Sequence, residues 1–205
     1  MAEMDEASKR SESGQGDMND ILCAAVEVCK CLRAVGHPFC LIGGIALQRW
    51  GEPRMTVDVD ATVLSEFGNE GHVVRQLLKT LRPRIADVVA FSEANRIVLL
   101  KTSDNIGVDI SLGALPYEKE MIDRSSDWHV TEHGTIVTCS PEDLVILKAF
   151  AARPQDWIDV EGVIIRQGAR LNRSLVLEEL TPLVELKEEP EILDQLQALF
   201  DKHDG

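Results

Sequence analysis

Two aspartates lie two residues apart in the stretch RMTVDVDATVL, where valine and threonine alternate with aspartate. This period of two predicts a β-strand, on which residues i and i+2 point to the same face. Asp58 and Asp60 would therefore place two carboxylates in one space. Such carboxylates repel each other unless a cation lies between them, and Mg²⁺ prefers carboxylate oxygens together with phosphates. The pair predicts a site for Mg²⁺ or Mn²⁺.

A third acid, Asp109, lies between Val108 and Ile110 in a segment that otherwise has the pattern of a buried strand. A carboxylate in such a segment needs a partner, because burying an unpaired charge is costly. If this strand lies beside the strand that carries the pair, Asp109 would reach the same metal ions. We therefore expect it to be a third metal ligand.

A glycine pair, Gly43-Gly44, follows the apolar run PFCLI and precedes the short segment IALQRW. This order predicts a buried strand, a turn and a brief helix. Glycine permits close backbone approach, and the first amides of a helix point toward an anion such as a phosphate. A glycine pair or an Asp-x-Asp pair alone is weak evidence, since most are turns or solvated strand edges. The prediction therefore depends on the order of three features along the chain: the glycine pair, the Asp-x-Asp pair and the later acid Asp109.

A mixed set of helices and strands would position these residues. Apolar residues at helical spacing predict a first helix from Asp17 or Asn19 up to Gly36, and residues 70–81 form a second. Three short β-rich runs are expected to extend one sheet: IADVVAF, NRIVLLKT and GVDISL. Further along, YEKEMIDR predicts a short helix and TIVTCS a last strand.

The C-terminal third is predicted to be helical. Ser140 is expected to be an N-cap, with Pro141 at the first helical position and acids in the first turn. Pro154 would end or restart this helix. Further helices are expected, with breaks at Gly168, Pro182 and Pro190.

Together these elements predict an α/β (α+β) fold, in which a mixed sheet is flanked by helices. Residues 18–139 would form the sheet domain, and residues 140–205 a helical C-terminal part. Residues 1–17 are rich in serine, glycine and charge, which predicts a disordered leader.

The composition narrows the possible partners. The chain has 205 residues and a net charge of −14, much of it near its ends: residues 1–20 hold six acids and two bases, and residues 178–205 nine and two. No apolar run approaches the roughly 20 residues of a membrane helix, and no secretory signal is present. These features predict a cytoplasmic protein with no membrane partner.

A modest basic stretch lies in the middle of the chain. The acids among its basic residues are only Asp87 and Glu93. The basic residues are Arg75, Lys79, Arg82, Arg84, Arg96 and Lys101. Such a stretch is either a phosphate-facing edge or a solvated surface, and we interpret it as a solvated surface. The low overall basicity disfavours a long RNA duplex as partner.

Two blocks of the sequence resemble a known family. The stretch GGIALQRWGEPRMTVDVDATV is similar to the signature of the DNA polymerase β-like nucleotidyltransferase superfamily, and most closely to its AbiEii-like branch, known for toxins of toxin–antitoxin pairs. The block SPEDLVILKAFAARPQDWIDV resembles the second signature of that branch. The resemblance spans roughly residues 40–165. It implies the nucleotidyltransferase fold and a nucleoside triphosphate (NTP) substrate, with an antitoxin protein as a candidate partner.

The resemblance implies roles for particular residues. Asp58, Asp60 and Asp109 would be the catalytic metal ligands, with Asp109 also the base. Residues expected to bind the nucleotide are Gly43, Gly44, Arg54, Thr56, Lys148 and Arg153. Arg54 and Thr56 share strand parity with the two acids, although an ordinary ion pair is the alternative for Arg54. For Asp156 and Asp159 a local helix-start role is about as good an explanation as a site role. Gln155 departs from the family pattern, which often has a basic residue there.

The resemblance leaves the acceptor hydroxyl open, since an RNA end such as that of a tRNA, a protein side chain and a small molecule are all candidates. Two other functions compete with nucleotidyl transfer. A non-catalytic binding subunit would gain nothing from three clustered acids. A metal-dependent phosphohydrolase would use the same carboxylates, but the glycine pair before them favours use of an NTP.

Overall fold

The computed structural model describes residues 3–130, 132 and 134–204, with side-chain surroundings from Met18 onward. Within this part of the chain, helices surround a seven-stranded mixed sheet. The strands are β1 Phe39–Leu41, β2 Asp58–Leu64, β3 Arg82–Pro83, β4 Ile97–Lys101, β5 Gly107–Gly113, β6 Ser126–His129 and β7 Thr135–Thr138. The helices are α1 Glu3–Val35, α2 Gly43–Trp50, α3 Glu70–Leu77, α4 Val88–Asn95, α5 Pro116–Asp123, α6 Pro141–Ala151, α7 Pro154–Gln167, α8 Arg173–Lys187 and α9 Glu191–Lys202. The predicted α/β (α+β) fold class is confirmed.

The strand order is β3-β4-β5-β2-β1-β7-β6, which puts β2 and β5 near the centre of the sheet. These two strands are parallel, with Asp60 opposite Asp109. Strand β1 runs antiparallel to β2 and parallel to β7. The C-terminal end of β1 therefore lies at the same end of the sheet as the N-terminal ends of β2 and β5.

One face of the sheet packs against α1 and α3, and this packing sets the direction of the acids. Val59, Ala61 and Val63 belong to that core, as do Val108 and Ile110 on β5. Because strand side chains alternate between faces, the acids between these residues must point to the opposite face. A second core on that side joins α2 to the C-terminal helices α6–α9.

Several local predictions differ from the structure. The run IADVVAF is not a strand, because residues 88–95 form helix α4, in which Val88 and Ser92 are buried one turn apart. Tertiary packing here overrides the strand preference of the paired valines. Strand β6 is a further difference, since SDWH carries little strand signal.

The C-terminal helices follow the prediction at their starts but not throughout. The Ser140 side chain accepts a hydrogen bond from the Asp143 amide, so the predicted N-cap is confirmed. Contrary to the prediction, Pro182 does not end a helix but lies inside α8. It is exposed, and so is Glu178, whose carbonyl loses its helical donor; water can replace that donor.

At the N-terminus, α1 begins at Glu3 rather than at Asp17 or Asn19. The surroundings of residues 1–17 lie outside the described side chains, so the disordered leader stays a prediction. The boundaries at residues 18–139 and 140–205 likewise stay a prediction. In the described part of the chain, no helix is long and apolar enough to cross a membrane.

Candidate active site

The three predicted metal ligands meet in space. Asp58 and Asp60 lie on β2, Asp109 lies on β5, and each offers one carboxylate oxygen within 4.8 Å of the other two. All three side chains are partly buried. The strand register brings them together, since Asp109 lies directly opposite Asp60 and Gly107 lies opposite Asp58.

The electrostatics of this cluster fit a divalent cation. Burial, followed by repulsion from Asp58 and Asp109, raises the pKa of Asp60 to about 6. Burial also raises the pKa of Asp109, with a contribution from Asp58 and an opposing one from Arg84. Three hard oxygens in a half-buried space are the donor set that Mg²⁺ or Mn²⁺ prefers. A bound cation would remove the repulsion that raises these pKa values.

The raised pKa of Asp60 makes stability depend on pH. Its folded value of about 6 lies above its ordinary value of 3.8, so the proton stabilises the folded chain at acidic pH. This stabilisation is lost as the pH rises through about 6. In EDTA, the unfolding free energy of wild type minus that of Asp60→Asn should fall by about 2 kcal/mol between about pH 4 and pH 7. Chemical denaturation measures this difference. A difference that stays constant or rises would show that Asp60 titrates normally, and exposed Asp123→Asn is the matched control.

Close contacts with β2 and with the segment before it require glycine at both positions of the pair. Gly43 has a φ of +56°, and a Cβ atom there would lie 2.8 Å from Asp60 Cγ. A Cβ atom on Gly44 would lie 2.6 Å from Thr56 Cβ. The backbone amide of Gly44 lowers the pKa of Asp60, so one amide at the start of α2 already faces the acidic cluster. The predicted contact of both glycines with a triphosphate stays a prediction.

Lys148 has different surroundings from a solvated helix lysine. Its side chain is 7% exposed, and Nζ donates to Asp156 Oδ1 at 3.1 Å and to Asp159 Oδ2 at 2.6 Å. The two aspartates around the Pro154 helix start are thus its partners. Both lie at the first turns of α7, where helical spacing of three residues puts them on one face.

Arg54 also contacts Asp159. Its Nε lies 3.0 Å from Oδ1 and its Nη2 lies 2.9 Å from Oδ2, a bidentate pair. Arg54 therefore forms an ion pair, and its predicted contact with the nucleotide stays a prediction. Residues 52–57 precede β2 rather than continue it. Although burial opposes it, hydrogen bonds from Arg54 and Lys148 hold the pKa of Asp159 below its ordinary value.

All the sequence-predicted site residues border one cavity of about 460 Å³, a size typical of small-molecule sites. Its floor is the acidic cluster, and its walls come from the start of α2 and one face of α6. The predicted members are Gly43, Gly44, Arg54, Thr56, Asp58, Asp60, Asp109, Lys148 and Arg153. Arg153 is exposed at its rim. Apolar residues of α6, including Leu147 and Ala151, complete the wall.

One contact in the site was not predicted. The Arg84 side chain donates to Asp109 Oδ1 and forms an ion pair with it. The basic stretch is interpreted above as a solvated surface, and Arg84 is indeed exposed, but it also contacts the acidic cluster. The signal was hidden because β3 has only two residues, too few for a strand pattern in the sequence.

Comparison with known protein families identifies the chain. Residues 30–200 match the family described as "Nucleotidyl transferase AbiEii toxin, Type IV TA system". The chain belongs to this family. The resemblance of its two signature blocks to the AbiEii-like branch is thereby confirmed, and the match extends beyond both blocks into α9. No curated protein is similar enough in sequence to count as a match.

The fold of this AbiEii-family chain is similar to that of a solved nucleotidyltransferase-like protein, and two further structures give lower TM-scores. An antigenic nucleotidyltransferase-like protein from Paracoccidioides brasiliensis has a TM-score of 0.51 and 17% identity, over 87% of this chain and 93% of that one. The antibiotic-resistance factor ANT(2'')-Ia has a TM-score of 0.49 and 15% identity, over 91% and 98%. A putative nucleotidyltransferase from H. pylori has 0.47 and 16%, over 92% and 96%. At these identities the likeness concerns the fold alone.

Proposed function

We propose that this AbiEii-family protein transfers a nucleotidyl group from an NTP to a hydroxyl acceptor, with Asp58, Asp60 and Asp109 holding Mg²⁺ or Mn²⁺. The observation that carries the proposal is the meeting of these three carboxylates at the floor of a cavity bordered by both family signature blocks. When bound, the divalent cation supplies charge neutralisation at the α-phosphate.

The chain's own groups divide the remaining work. Asp109 takes the proton of the acceptor hydroxyl while the hydroxyl oxygen bonds to the α-phosphorus of the NTP. The bond between the α-phosphorus and the oxygen that bridges it to the β-phosphate breaks, and pyrophosphate leaves. Asp109 must first be released from Arg84, its ion-pair partner. The Gly44 amide at the start of α2 lies beside Asp60 and favours its ionised form.

Lys148 is suited to a phosphate contact even though it is buried. An ammonium group has three N–H donors, and two of them are used by Asp156 and Asp159. We assign the third to the triphosphate, since Lys148 borders the cavity. Arg153 at the rim would add a second contact, whereas Arg54 would act mainly by holding Asp159.

The acceptor stays open among an RNA end, a protein hydroxyl and a small molecule. A cellular role as the toxin of a toxin–antitoxin pair, with a protein antitoxin as partner, is supported by the family description. An adjacent small gene encoding an antitoxin would support that role. The alternative of a non-catalytic binding subunit is disfavoured because it gives no reason for three acids within 4.8 Å.

We expect NTP to bind only with Mg²⁺ or Mn²⁺, because the triphosphate supplies ligands that complete the metal shell. Calorimetric titration of ATP, GTP, CTP and UTP, each with Mg²⁺ and with EDTA, measures this dependence. Asp58→Asn should abolish the Mg²⁺-dependent heat, whereas the exposed control Asp123→Asn should keep it. If none of the four bound in Mg²⁺, the nucleotide assignment would be wrong.

A further inference from the structure

Arg84 and the acidic cluster lie in one row across the sheet. The Arg84 amide donates to the Leu99 carbonyl at 3.0 Å, just beyond the end of β3. Leu99 lies opposite Asp109, and Asp109 lies opposite Asp60. Because residues opposite one another share a sheet face, this row points Arg84 across Leu99 toward the carboxylates.

The guanidinium has space there because one residue of β5 has no side chain. Gly107 lies opposite Asp58, and a Cβ atom on it would be 2.9 Å from Arg84 Nη1 and 3.5 Å from Asp58 Cβ. That distance to Nη1 is shorter than Cβ contacts in real structures. The cation therefore occupies the gap between the starts of β2 and β5, beside two members of the acidic cluster.

The partners of the other nearby cations set Arg84 apart. Lys148 is paired with Asp156 and Asp159, and Arg54 with Asp159. Within the described residues, Arg84 is the basic side chain whose ion pair is with the cluster itself. It contacts Asp109 Oδ1, a carboxylate oxygen of the kind that a metal ion would need.

We propose that Arg84 is a displaceable counter-ion of Asp109. It neutralises the third carboxylate while the metal is absent and gives up that carboxylate when the metal binds. Arg84 and the divalent cation therefore compete for one ligand. The inference rests on the proposed function, because it needs the metal site on Asp58, Asp60 and Asp109.

The test is a calorimetric titration of the full-length protein with Mn²⁺ alone. Removing a competing and repelling cation should tighten Mn²⁺ binding in Arg84→Ala by about fivefold or more. Arg84→Lys should stay close to wild type. Lys101→Ala is the matched control, because Lys101 lies on the same sheet face, two residues from Leu99. This substitution removes one positive charge without removing a contact to Asp109. Its Mn²⁺ affinity should change by less than about twofold.

A second measurement separates competition from a merely structural role. In EDTA, Arg84→Ala should have a lower melting temperature than wild type, because the carboxylates then repel without their counter-ion. In saturating Mn²⁺ this difference should disappear, whereas a structural role would leave the same loss in both conditions. Lys101→Ala should show no such dependence on metal.

Each possible result either supports or overturns the counter-ion role of Arg84. Equal or weaker Mn²⁺ binding in Arg84→Ala, with clear binding in wild type, overturns the counter-ion role and leaves the proposed function intact. A melting-temperature loss that is the same in EDTA and Mn²⁺ does so too. Absence of Mn²⁺ binding in wild type overturns both the inference and the metal-dependent function.

Discussion

Replacing Asp60 with asparagine is expected to abolish nucleotidyl transfer while leaving the metal-free protein at least as stable as wild type at neutral pH. Asp60 is the most strongly perturbed carboxylate of the cluster, because burial and two neighbouring acids raise its pKa to about 6. Asparagine is nearly isosteric and keeps an oxygen for the Gly44 amide. It removes the repulsion and also the negative charge that a metal ion needs.

The expected loss of turnover is on the order of a thousandfold or more, as for other groups that stabilise charge in a transition state. Single-turnover rates with labelled NTP measure the activity, and thermal melting in EDTA measures the stability. Asp123→Asn is the control, since Asp123 is an exposed acid on α5 that pairs with Lys119 on its own helix. A substantial drop in melting temperature for Asp60→Asn without metal would mean that the acid is structural.

Replacing Lys148 with alanine is expected to lower the unfolding free energy by about 3–5 kcal/mol. The reason is that Asp156 and Asp159 would keep their buried charges without the ammonium between them; the side chain of Asp159 is only 3% exposed. Arg54 would still neutralise Asp159, so most of the loss should come from Asp156. NTP affinity should fall as well.

Chemical denaturation of Lys148→Ala measures this loss against a matched pair on the surface. Lys119 contacts Asp123 at 2.5 Å, but both side chains are more than half exposed. Lys119→Ala should therefore cost less than about 1 kcal/mol. Adding Asp156→Asn to Lys148→Ala should restore part of the lost stability. Equal losses in Lys148→Ala and Lys119→Ala would show that the buried network is not a major source of stability.

The acidic cluster could be predicted from sequence because its information is local. Alternation on β2 sets the common face of Asp58 and Asp60, and the apolar neighbours of Asp109 mark it as an acid on a buried strand. Neither pattern states which strands are adjacent, so the parallel pairing of β2 with β5 is known only from the structure.

The remaining contacts depend on residues far apart in the chain. Arg54 and Asp159 are 105 positions apart, and Arg84 and Asp109 are 25 apart, with Arg84 just beyond an edge strand of two residues. Lys148 has the helical spacing of a surface lysine, and only the docking of α7 onto α6 buries it. Helix α4 shows the same limit, since its paired valines favour a strand until packing decides otherwise.

The position of the transferred label tests the central claim most directly. The protein is incubated with Mg²⁺, total RNA and cell lysate, and with each NTP labelled with ³²P at either the α- or the γ-phosphate. Nucleotidyl transfer predicts that the α-label appears on an acceptor while the γ-label leaves as pyrophosphate, in wild type and Asp123→Asn but not in Asp60→Asn. Release of the γ-label as orthophosphate without any acceptor carrying the α-label would contradict nucleotidyl transfer and indicate a phosphohydrolase instead.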